Sequence, residues 1–143
     1  MKKKVFTIIL ALSIIVIIFI VICNCKNNIP NEITNFMEEY MNACKIEMAK
    51  SVNYCYFKTE EERLAYVNSN NLLIGYKIES SKKINDNLYQ FTNLVETKNR
   101  SGHYIRVYNF VARIDGKLFF IANVMNVPDE IRENLDVNLY SYK

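Results

Sequence analysis

One histidine, four cysteines and a few strand-borne carboxylates are the residues from which this chain could build a reactive site. His103 stands alone, so a multi-histidine metal centre is excluded, and no Ser-His-Asp spacing can be built around it. It follows Gly102 at a strand edge, where an imidazole is solvated. Proton abstraction by a carboxylate needs burial deep enough to raise its pKa. Asp115 sits in a hairpin turn, Glu96 near a strand end, and Glu79 on a polar face, so none meets that condition. Gly75, Gly102 and Gly116 are isolated and make no phosphate-cradling loop. These residues assign no catalytic group, no metal and no cofactor.

The cysteines fall at 23, 25, 44 and 55. Cys23-Asn24-Cys25 has neither zinc-knuckle nor C-x-x-C spacing and reads as a pair of interfacial thiols. Cys44 and Cys55 would face an oxidising exterior, where a disulfide forms if geometry allows. On one straight helix they would lie about 16 Å apart, beyond bridging reach. A bend between them is required; without it they are buried free thiols.

Two amides stand out. Asn109 lies between Val107 and Val111, and Asn123 between Ile121 and Met125, so strand alternation puts both on apolar faces. A buried amide must find partners. Two roles fit: lining a small pocket with Tyr66, Tyr89 or Tyr108, or satisfying a bulge or helix end.

The longest apolar run decides where these groups can act. Residues 5–23, VFTIILALSIIVIIFIVIC, carry no charge and follow Lys2, Lys3 and Lys4. As a helix they would span roughly 28 Å, close to the ~30 Å hydrocarbon core of a bilayer. The run is longer than a secretory signal's apolar region and ends without a small-x-small cleavage pattern. A lipoprotein would lipidate Cys23 or Cys25, but Ile22 and Asn24 stand where a small residue belongs. An uncleaved single span is the expectation. The basic residues 1–4 then stay in the cytoplasm and everything beyond the short linker 24–30 lies outside.

The four lysines at 2, 3, 4 and 26 exceed the net charge of +3, so the rest of the chain carries about −1. That excludes the basic surface nucleic-acid binding demands. Abundant Asn, Ile and Lys resemble proteins of AT-rich bacterial genomes.

Residues 31–135 form one domain, with 136–143 as a tail. Ile33, Phe36, Met37, Tyr40, Met41, Cys44 and Met48 recur at helical spacing, predicting a helix from an Asn31 cap to near Lys50. Residues 51–57 suit a short helix or turn. Thr59-x-x-Glu62 is a capping box opening a further helix to about Asn68. From Leu72 the period becomes two, predicting strands over 72–84, 88–98, 103–114 and 117–127. Asp115-Gly116 is the strongest hairpin signal, and Pro128 starts a short terminal helix. The fold class is α+β: an N-terminal transmembrane helix, then two or three helices on a bent four-stranded antiparallel sheet.

That order of elements resembles the cystatin-like/NTF2-like superfamily, through FMEEYMNACKIEMAKSV, NLYQFTNLVETK, YIRVYNFVARIDGKLFFIANV and the closing VP. The resemblance implies helices wrapped by a sheet into a cone, and it implies no particular activity. With the span, it leads to an expected function: a non-enzymatic, bacterial membrane-anchored binding or scaffold domain, displayed outside the cell and engaging a protein partner at the membrane. The alternatives are a small-ligand-binding or minor enzymatic domain, and a membrane-tethered immunity or inhibitor protein.

Overall fold

Ile33, Met37, Tyr40, Met41 and Cys44 form the buried stripe of α1, Asn31–Ile46. The computed structural model describes residues 29–69 and 72–135. Within them α1 is followed by α2, Met48–Ser51, a 3-10 turn at Val52–Tyr54, and α3, Glu60–Asn68. The sheet comprises β1, Leu73–Asn85; β2, Leu88–Thr97; β3, Ile105–Ile114; and β4, Lys117–Ile121. Its strands lie in the order β1-β2-β3-β4, every neighbour antiparallel. Three helices on a four-stranded antiparallel sheet make the domain α+β.

The span at 5–23, the tail at 1–4, Cys23, Cys25 and the tail at 136–143 lie outside the described residues. Among the described residues no helix is long and apolar enough to cross a membrane.

Several boundaries differ from expectation. Pro30, not Asn31, occupies the N-cap of α1, and no side chain caps it. The helix expected to reach Lys50 breaks at Glu47, whose extended backbone (φ −165°, ψ 131°) ends α1 and starts α2. At the start of α3 the Thr59 hydroxyl accepts from Glu62 N at 3.2 Å, as in a capping box. The Glu62 carboxylate reaches one residue further than the motif predicts, accepting from Lys58 N at 2.8 Å.

In β1 the expected phase of Leu72, Ile74, Tyr76 and Ile78 is broken. Register shifts between Leu73 and Gly75 and between Ile78 and Ser80 place Leu73, Tyr76 and Ile78 against the helices and leave Ile74 exposed. Each irregularity adds local twist and bends the strand. Asp115 (φ 50°) and Gly116 (φ 78°) both take positive φ, the type I′ geometry of a two-residue hairpin.

Strand β4 is the largest departure. It ends at Ile121, six residues short of expectation. The chain turns through a 3-10 segment at Val124–Asn126, and the expected terminal helix is a single 3-10 turn, Asp129–Ile131. This arm crosses to the sheet face away from the helices. There Val124 and Val127 join Leu88, Phe110, Ala112 and Ile121 in a second core. The first core lies between helices and sheet, where Tyr40 stacks on Phe120 at 3.6 Å between ring centroids.

Candidate functional site: an uncharged pocket between helices and sheet

Because β4 pairs only with Phe110–Ile114, the first half of β3 has no strand on that side. The gap is the wall of a pocket of about 250 Å³. Met41, Cys44 and Tyr66 line it from the helices, and Thr97, Val107 and Asn109 from the sheet. Among the described residues, no lining side chain carries a formal charge.

Asn109 is 9% exposed, and its Oδ1 accepts from Asn93 Nδ2 at 2.9 Å. The two residues sit diagonally across β2 and β3, where Phe91 faces Asn109 and Asn93 faces Val107. Asn93 is fully buried, and its Oδ1 has no hydrogen-bond partner among the described residues. The amide orientations follow from the network. Reversing both would strand an NH2 with two donors in place of one carbonyl oxygen, and reversing one would set like atoms against each other. The adopted orientation leaves Asn109 Nδ2 as the polar end that Asn109 offers the pocket.

The helix wall carries a directed chain of hydroxyls. Ser51 donates its proton to Met48 O at 2.7 Å. Its oxygen therefore accepts from Tyr66 Oη, also at 2.7 Å. With that proton committed, Tyr66 accepts from Tyr40 Oη at 3.1 Å. Cys44 Sγ lies 3.7 Å from the same Tyr66 oxygen, and Cys55 Sγ donates to Ser51 O at 3.4 Å. Burial raises the pKa of Tyr40 and of Tyr66 well above the usual phenol value. Burial likewise pushes the Cys55 thiol up to about 12. Phenols and thiols held protonated in this way are neither general bases nor nucleophiles at neutral pH.

The bend required between the cysteines is present at Glu47 and in the turn at Val52–Tyr54, and both sulfurs come to the Tyr66 cluster. They are free thiols.

Of the five residues assigned to a pocket from sequence, Asn109 and Tyr66 line this one. Tyr89 is buried elsewhere in the core, donating to Asp86 O at 3.0 Å. Tyr108 points to the opposite sheet face, opposite Thr92. Asn123 lies beyond β4, exposed, and its Oδ1 accepts from Met125 N at 2.9 Å to cap the 3-10 turn. The pocket role fails there because the strand that would have turned it inward does not extend so far. Asn93 was missed, although Phe91-x-Asn93-x-Val95 repeats the pattern that singled out Asn109.

The carboxylates are engaged at the surface. Glu79 accepts from Arg106 Nε at 2.7 Å, a bond that lowers its pKa, the reverse of what a general base requires. Glu96 accepts from Gly102 N at 2.6 Å, and Asp115 and His103 are exposed. Among the described residues no three His, Cys, Asp or Glu side chains group to hold a metal ion. Comparison with protein-family models finds no match, and comparison with curated proteins finds none either.

Proposed function

We propose that this chain is a non-enzymatic, membrane-anchored binding domain that holds a small molecule outside a bacterial cell. The observation that carries binding over catalysis is the pocket: a cavity of about 250 Å³ with no charged side chain among its described lining residues, whose phenols, Tyr40 and Tyr66, are held protonated by burial. Small-ligand sites are concave, mostly apolar and supplied with a few placed polar groups. A cystatin-like/NTF2-like cone is supported by the element order, by the helices on one sheet face and by the bulged first strand.

Anchoring rests on residues 5–23 and their lysine flank. Fractionation of cells expressing the full chain tests it, with externally added protease reporting the side of the membrane. The expected result is a membrane-bound, protease-accessible domain that leaves the membrane fraction when residues 1–25 are deleted. Unchanged localisation of the deletion overturns the anchor.

A second reading is a scaffold for a protein partner at the membrane. The observation favouring it is the sheet face away from the helices, where Ile74 and Tyr104 are 44% and 56% exposed. Aromatic residues are enriched at interface cores. Crosslinked pulldown from membranes distinguishes this reading by returning one stoichiometric partner.

A further inference from the structure

We infer that the pocket selects an uncharged ligand of about one ring in size, held by a carbonyl oxygen that accepts from Asn109 Nδ2. The inference rests on the pocket reading above and adds the ligand's chemistry.

Size comes first. A volume of about 250 Å³ compares with a dry engineered cavity of ~150 Å³ that admits benzene. One ring with a short polar substituent fits this space.

Charge comes second. A charged ligand entering these walls would leave water and meet no counter-charge among the described lining side chains, none of which is an acid or a base with a formal charge. Glu62, one turn before Tyr66 on α3, is engaged with Lys58 N.

Polarity comes third. The protons of Tyr40, Tyr66 and Ser51 are committed in sequence along the chain that ends on Met48 O. Ser69 donates to Tyr66 O at 2.7 Å. The phenol oxygens thus present lone pairs. Thr97 adds a hydroxyl, and Asn109 Nδ2 has no partner among the described residues. A carbonyl facing the sheet and an N–H facing the phenols satisfy both walls, and a neutral carboxamide carries both. The buried Asn93 below explains why Asn109 turns its nitrogen outward: its own oxygen is held from beneath.

Benzamide, benzoate and benzamidinium share one size and differ in charge, so they make a direct test. The full chain with 13C-methyl methionine reports binding through Met41 and Met48, which line the pocket, against exposed Met125 as control. Benzamide should shift Met41 and Met48 and leave Met125 in place, while the two ions shift neither at equal concentration. The double change Asn93→Leu with Asn109→Leu removes both amides together, so no orphan remains, and should weaken benzamide about tenfold. If benzoate or benzamidinium binds as tightly as benzamide, or the double variant binds benzamide unchanged, the ligand class is overturned while the pocket stands. If all three probes leave Met41 and Met48 unmoved, the pocket reading itself falls.

Discussion

Asn93 Nδ2 donates to Asn109 Oδ1 at 2.9 Å, diagonally across β2 and β3, beside the buried apolar Phe91, Val95 and Val111. Removing one partner of such a pair leaves the other's desolvated group unmet, costing about 1–3 kcal/mol, whereas replacing both with apolar groups of similar shape is near neutral. Asn109→Leu alone should therefore destabilise the chain more than the double Leu variant. Urea midpoints of the two single variants and the double check this. A double variant as unstable as the sum of the singles would show that the bond contributes nothing.

Tyr66 is the hub of the helix wall, touching Tyr40, Ser51 and Cys44 through one oxygen. Tyr66→Phe keeps the ring and its tilted contact with Phe57 but strands the Tyr40 proton. The expected loss is about 1–3 kcal/mol, read as a lower thermal midpoint. Tyr54→Phe, in the same helical layer but with its ring edge-on to Phe36, should change little.

Alkaline pH should unfold the domain. Cys55 is held protonated to about pH 12 when folded, against an unfolded value of 9.0. Tyr40 and Tyr66 are shifted in the same direction from 10.0. Between the unfolded and folded values the unfolded chain binds fewer protons, so stability is full below about pH 9 and falls as pH rises. The slope from Cys55 alone approaches roughly 1.4 kcal/mol per pH unit above its unfolded pKa, and the phenols steepen it above about pH 10. Thermal scans by circular dichroism from about pH 8 to about pH 11 measure it. Cys55→Ala should flatten the first part of the fall.

Both described thiols should resist alkylation. Cys44 and Cys55 are 1% and 9% exposed, and Cys55 has almost no thiolate at neutral pH. Mass spectrometry after brief iodoacetamide treatment should find both unmodified in the native chain and both modified in denaturant. Rapid native labelling of either would contradict the packing around Tyr66.

Lys58 Nζ holds the start of the C-terminal arm, donating to Met125 O at 2.8 Å, and Asn85 holds its end. Asn85 Nδ2 donates to Ile131 O at 3.0 Å and to Glu133 O at 2.8 Å. Asn85→Ala should raise amide hydrogen exchange across the arm while the core of β2 keeps its protection. Equal exchange in both proteins would assign the arm's position to its apolar residues and the Lys58 contact.

The sequence disclosed the helix stripe, four strands and the Asp115-Gly116 turn, because burial and turn chemistry leave strong periodic marks there. Asn109 was legible for the same reason. Asn93 carried an identical mark in β2 and went unread. The β1 bulges were hidden, because Leu72-Leu73-Ile74 is apolar in both phases and Gly75 alone hints at a break. The end of β4 was also hidden: residues 117–127 alternate well enough for a strand, and only the Asn123 side chain capping its own turn decides otherwise. Since the pocket exists because β4 stops, its outline could not be drawn from sequence even though two of its residues were named.

Helix α1 runs lengthwise along the sheet, for roughly 24 Å. Arg113 holds Glu32 at one end at 2.8 Å, and Tyr76 donates to Asn42 near the other at 3.3 Å. Pro30 lies at the Glu32 end, while Met48, Leu73 and Ile105 of the pocket lie at the far end. The chain therefore enters the domain at the end of the sheet that carries the Asp115-Gly116 turn. The pocket's Met48, Leu73 and Ile105 lie about a helix length from that entry, at the end of the sheet where β1 and β3 begin.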